Sequence, residues 1–152
     1  MALDGGARRV HSVLFVCALN AVRSPMAEAI LKHLAGRRVY VVSAGVRAGE
    51  PDPFAAAAME ELGIDISAHK PQSLGDLADA SFDLIVSLSP EAHHQALQLA
   101  EGYAIDVEYW PTADPTLAQG SREQILDAYR GVRDGLFRRI KQRFPLISAG
   151  GV

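Results

Sequence analysis

Three times in its first ninety residues the chain passes from a short apolar, β-branched run into a Ser-Pro or Asp-Pro pair. Ser12–Cys17 leads to Ser24-Pro25, Val39–Val42 to Asp52-Pro53, and Phe82–Val86 to Ser89-Pro90. Each run has the length of a strand buried on both faces, and each pair sets an oxygen-bearing cap before a proline at the first helical position. The repeated unit is strand, loop, helix, and strands joined through helices lie parallel. The first helix carries Ala27, Ile30, Leu31 and Leu34 at helical spacing as far as Gly36; the second runs to Gly63 and the third ends near Gly102. Ile105–Trp110 alternates in polarity and predicts a fourth strand at a sheet edge. A capping box, Ser121 to Gln124, opens a last helix with Ile125, Tyr129, Val132, Leu136 and Ile140 on one face. The expected fold is a single α/β domain of three layers, α/β/α, around a four-stranded parallel sheet.

Length and composition agree. At 152 residues, 49% apolar and 22% charged, the chain is long enough for one packed core and too apolar for disorder. A net charge of −3 leaves no excess of positive charge to hold nucleic acid or an anionic membrane, so neither is an expected partner. Mean hydropathy is +0.07, and the apolar run Val13–Cys17 is far short of the ~20 residues that cross a bilayer. The one cysteine, Cys17, has no internal disulfide partner, and Met1 to His11 offers no apolar stretch of the signal-peptide kind. These features point to a cytoplasmic protein, with residues 1–11 expected as a flexible tail before a core spanning 12–144. Oligomeric state is not readable.

The loop after the first strand carries the chemistry: Cys17-Ala18-Leu19-Asn20-Ala21-Val22-Arg23-Ser24, and then a helix start. A short loop between a strand end and a helix N-terminus can turn successive backbone N–H groups inward, and the helix dipole adds partial positive charge at the same point. This is a cradle for a tetrahedral oxyanion. Arg23 adds a planar fork that grips two oxygens. Cys17 lies at the floor, where the same dipoles favour the thiolate, the nucleophilic form. Ser24 can donate its hydroxyl to that sulfur, and the same hydroxyl is placed to cap the helix. A lone cysteine at a strand end is otherwise a small core hydrophobe; the arginine spacing and the helix start set this one apart.

The loop resembles the signature of the low-molecular-weight protein tyrosine phosphatases and of the arsenate reductases that share their fold, and the similarity covers roughly Val13 to Phe144. The resemblance implies that Asn20 adopts left-handed backbone and braces the loop, with Ser43 and His69 as its partners. It also implies that Asp114, in Asp114-Pro115, is the general acid. Chemistry gives that aspartate the same role: expelling an alkoxide or phenoxide needs a proton donor at the leaving oxygen, and Pro115 keeps Asp114 extended toward the crevice at the strand ends. The expected reaction is attack by Cys17 on a phosphomonoester, of a protein or a small molecule, through a phosphocysteine intermediate. Asp114 then serves as base for the hydrolytic water. No cofactor and no metal enter this chemistry.

Four departures from the family pattern matter. Leu19 stands where the phosphatases commonly have glycine, and a Cβ there would clash if the backbone needed positive φ. Val22 replaces a second loop cysteine. Gly45 to Glu50 and Thr116-Leu117 lack the aromatic residues that wall a phosphotyrosine cleft, which favours smaller oxyanions. Ser89 and Ala96 occupy the places of the two further cysteines through which thioredoxin-coupled reductases shuttle a disulfide, so a reductase would need an external thiol such as glutathione or mycothiol. Two alternatives stand beside the phosphatase: an arsenate reductase using an external thiol, and an oxyanion-binding pseudophosphatase whose Leu19 distorts the loop. His93-His94 lacks ligand spacing for a metal and reads as solvated surface. Arg133, Arg138, Arg139, Lys141 and Arg143 read as the wet face of the last helix.

Overall fold

The computed structural model describes residues 10–77 and 81–145. Four strands, β1 (Ser12–Cys17), β2 (Tyr40–Gly45), β3 (Leu84–Ser87) and β4 (Asp106–Tyr109), form one sheet in the order β2-β1-β3-β4, all pairs parallel. The helices are α1 (Arg23–Ala35), α2 (Pro53–Glu60), α3 (Pro90–Ala100) and α4 (Arg122–Arg143). Alternate residues of β1 feed two cores. Val13, Phe15 and Cys17 join Met26, Ile30, Met59, Tyr129 and Ile140 on the face covered by α1, α2 and α4. Leu14 and Val16 join Ile85, Ala92 and Ala96 under α3. This is the three-layer α/β/α architecture.

Three of the four expected caps form. Asp52 accepts from the amides of Phe54 and Ala55, Ser89 from that of Ala92, and Ser121 and Gln124 make a reciprocal capping box. The fourth does not. Helix α1 begins at Arg23 with Val22 at the N-cap position and no capping side chain, so Ser24 lies inside the first turn with its hydroxyl free for the loop.

Some boundaries move. β2 continues to Gly45 because Ser43, Ala44 and Gly45 keep register with Phe15, Val16 and Cys17. β3 is shifted to Leu84–Ser87, β4 is trimmed to Asp106–Tyr109, and α2 stops at Glu60, before Gly63 turns the chain at φ +75°. Of the expected N-terminal tail, residues 1–9 lie outside the described residues. Val10 is not tail-like: it is buried in the core, and the His11 amide donates to Asp83 at 2.7 Å.

Two surface expectations are corrected by packing. His93 is half-buried, with Nδ1 2.9 Å from Ser87 Oγ and its ring stacked on Tyr109. Arg133 is 7% exposed: it donates to the Ala58 carbonyl and pairs with Glu61 and Asp134, tying α4 to α2. Arg143 pairs with Glu108 on β4, and Arg139 lies over the Trp110 ring. No helix among the described residues is long and apolar enough to cross a membrane.

Candidate active site

The segment Cys17–Val22 curls from the end of β1 to the start of α1, and its carbonyls are drawn outward. The Cys17 oxygen accepts from the Val46 amide at 3.0 Å, that of Ala18 from Arg47 at 2.9 Å, and that of Leu19 from Gly49 at 2.8 Å. In a trans peptide the N–H points opposite to the C=O, so outward carbonyls turn the amides of residues 18, 19 and 20 toward the loop's concave side. The loop can come this close to the chain after β2 only because residue 45 is glycine. A Cβ there would meet the Arg47 oxygen at 2.3 Å and the Asn20 nitrogen at 2.8 Å.

Asn20 holds the loop from behind. Among the described residues it alone has positive φ without being glycine (φ 55°), and it is fully buried. Its Nδ2 donates to Ser24 Oγ at 2.8 Å and to Ser43 Oγ at 2.9 Å, while its Oδ1 accepts from the Gln72 amide at 2.9 Å and lies 3.1 Å from His69 Nε2. The Ser43 hydroxyl donates in turn to Glu28 Oε1, and the other oxygen of Glu28 pairs with Lys32. Asn20, Ser43 and His69 are thus brought together as one buried network. Glu28 and Gln72 belong to it too, and nothing in the sequence marked them, because each reaches the loop only through the packing of its own segment.

Cys17 Sγ lies 2.9 Å from Ser24 Oγ, which accepts from Asn20 Nδ2 and can turn its single hydrogen either to the sulfur or to the Ala44 carbonyl, 3.4 Å away. Leu19 causes no clash: its φ is not positive, and it packs its Cβ against Gly49. Arg23 Nη1 donates to the Thr112 carbonyl beyond β4 at 3.0 Å. Cys17, Ala18, Leu19, Ala21, Val22 and Arg23 line a cavity of about 50 Å³ with Asp114 and Thr116. Asn20 and Ser24, read from the sequence as touching substrate, keep their side chains behind the loop and can offer a ligand only backbone.

Asp114 lines this cavity from the segment that follows β4. Its backbone is extended (φ −92°, ψ 105°), and its Oδ1 accepts from the Thr116 amide at 3.0 Å and from Thr116 Oγ1 at 2.6 Å. Nearby, Tyr129 donates to Asp52 Oδ2 at 2.7 Å; burial first, and the Asp52 carboxylate second, push its phenol well above the ordinary range, so it remains a donor. A thiol, inward-facing amides, an arginine and a carboxyl group gathered around one cavity can carry out nucleophilic displacement at a tetrahedral oxyanion.

Comparison with known proteins places this arrangement. The pattern of the family described as low molecular weight phosphotyrosine protein phosphatase matches residues 12–145, and the chain belongs to that family. It is 34% identical over 134 residues to an arsenate reductase of Bacillus subtilis, covering 86% of this chain and 92% of that one. It is 31% identical over 146 residues to a glutaredoxin arsenate reductase of Synechocystis, covering 91% and 100%. Its fold superposes on a tyrosine phosphatase of Erwinia amylovora with a TM-score of 0.72 at 26% identity, covering 92% and 93%. The chain is thus an enzyme of a family whose members carry both names.

Proposed function

We propose that this protein reduces arsenate, using Cys17 as nucleophile and an external thiol as reductant, in a reducing cytoplasm. One observation carries the reading: Cys17 and Asp114 face one cavity of about 50 Å³ with no aromatic side chain in its wall, room for a bare oxyanion with nothing to stack a phenyl ring. Relatives named arsenate reductase in Bacillus subtilis and glutaredoxin arsenate reductase in Synechocystis support it.

The reaction balances as follows. The Cys17 thiolate attacks arsenic; the S–As bond forms, an As–O bond breaks, and the departing oxygen takes the proton of Asp114 to leave as water. Arg23 and the loop amides hold the remaining oxygens as negative charge builds on them. An external thiolate then attacks Cys17 sulfur: the S–S bond forms, the S–As pair goes to arsenic, and As(V) becomes As(III). A second thiol releases Cys17 as thiolate, so two thiols become one disulfide. No internal relay is open, because Cys17 is the sole cysteine of the chain.

A second reading is phosphomonoester hydrolysis through phosphocysteine, with Asp114 as acid and then base. It is favoured by the presence of Asp114 in the same cavity as the nucleophile and by the similarity to the Erwinia phosphatase. The two are separated by comparing kcat/KM for arsenate with glutathione or mycothiol against hydrolysis of p-nitrophenyl phosphate and phosphotyrosine. A clear preference for arsenate supports the first reading. Efficient ester hydrolysis without thiol-dependent arsenite formation replaces it with the second.

A further inference from the structure

We infer that Thr116 is a positioning residue for the proton transfer, fixing Asp114 by one oxygen so that the other, Oδ2, carries the proton; this rests on reading Asp114 as the acid. Thr116 supplies two donors to the same atom. Its amide and its hydroxyl converge on Asp114 Oδ1 at 3.0 and 2.6 Å, and Oδ2 has no hydrogen-bond partner among the described residues. An oxygen that already accepts two hydrogen bonds is the better seat for negative charge and the poorer one for a hydrogen, so the proton of the neutral acid is favoured on Oδ2. Thr116 also lines the catalytic cavity, which puts this hydrogen bond beside the reacting atoms rather than on a remote turn.

The effect is selective for the transition state. As Asp114 gives up its proton, negative charge grows on the carboxylate, and hydrogen bonds to an ionised acceptor are stronger than to a neutral one. The Thr116 bonds are weakest in the ground state and strongest as the proton leaves, which is the condition for accelerating a step rather than only binding its reactant. Substrates with poor leaving oxygens, arsenate and alkyl-like or phenyl esters, depend on that proton; those with good leaving groups do not.

The test uses the full chain and three variants, Thr116→Val, Thr116→Ser and Asp114→Asn, assayed on arsenate with glutathione, on phenyl phosphate and on p-nitrophenyl phosphate. Valine keeps the shape and the backbone donor and removes only the hydroxyl. For Thr116→Val, kcat on arsenate or phenyl phosphate is expected to fall roughly tenfold, with p-nitrophenyl phosphate within about twofold and KM unchanged. Thr116→Ser is expected to restore the loss. An equal loss on all substrates, or a serine variant as slow as valine, assigns Thr116 a structural role and overturns the inference. If Asp114→Asn shows the leaving-group dependence and Thr116→Val does not, only the inference on Thr116 fails. If Asp114→Asn is flat across the series, or the wild type turns over none of these substrates, the reading of Asp114 as acid fails and takes the inference with it.

Discussion

Arg23 Nη1 donates to the Thr112 carbonyl at 3.0 Å, so the arginine of the loop after β1 is anchored to the chain that leaves β4. One corner of the guanidinium is held by the fold, and the side chain still lines the cavity. The anchor fixes the plane in which the remaining N–H groups meet an oxyanion.

Arg23→Lys keeps the charge and loses the fork. The ammonium can satisfy Thr112 or the oxyanion, not both in one plane, and activity is expected to fall by ~10²-fold or more. The thermal midpoint should change little, because Arg23 is only part-buried. Near wild-type turnover in Arg23→Lys would show that charge alone suffices.

Asn20→Ala removes the Asn20 side-chain bonds to Ser24, Ser43, His69 and the Gln72 amide and asks alanine to hold φ 55°. Lost hydrogen bonds and left-handed strain together are expected to cost about 2–4 kcal/mol of stability. Urea unfolding measures it, and a cost below about 1 kcal/mol would mean that the network contributes little.

Gly45→Ala and Gly131→Ala form a matched pair. At residue 45 a methyl group would press on the backbone of Arg47, Leu19 and Asn20, while at residue 131 nothing lies within 4 Å. The first is expected to weaken vanadate binding at least about tenfold by spreading the loop, and the second to leave binding intact and raise stability by ~0.5–1 kcal/mol through helix propensity. Equal vanadate inhibition constants for both would contradict the close-approach argument.

Glu61 gives a pH dependence with a definite sign. Hydrogen bonds from Arg130 and then Arg133 bring its carboxyl down to about 2, below the ~4.3 expected in the unfolded chain. A depressed carboxyl stabilises the fold fully above its unfolded value, and that contribution is lost as pH falls through about 2. Glu61→Gln should therefore narrow its stability gap to wild type as pH drops from about 5 toward 2. Thermal melts across that range check it; a constant gap would show that the Arg130 and Arg133 contacts to Glu61 carry no stability.

What the sequence revealed and what it concealed divide by range. The caps at Asp52, Ser89 and Ser121 were legible because a cap is a contact with amides two or three residues on. Ser24 looked identical to Ser89 in its Ser-Pro pair, yet its hydroxyl belongs to Cys17 and Asn20, a fact set by how the loop curls. Cys17, Arg23 and Asp114 could be singled out by residue type and spacing, and the fold brings them to one cavity. Glu28, Gln72 and Thr112 reach the site through partners 15, 52 and 89 residues away, which no local pattern encodes. Thr116 was read only for the aromatic ring it lacks, and its hydroxyl went unnoticed. The burial of Arg133 and His93 depended on which helix face met α2 and β4. Leu19 was feared for a backbone angle that the loop does not require, since the left-handed turn falls one residue later, at Asn20.

The most direct test of the central claim, that Cys17 is the nucleophile toward a tetrahedral oxyanion, compares wild type with Cys17→Ser. Arsenate-dependent oxidation of glutathione, supplied with glutaredoxin, would be followed beside hydrolysis of p-nitrophenyl phosphate. Arsenate-dependent thiol oxidation that disappears in Cys17→Ser, with vanadate blocking any ester hydrolysis, is the expected result. Undiminished turnover in Cys17→Ser, or a wild type inert toward both substrates, would contradict it.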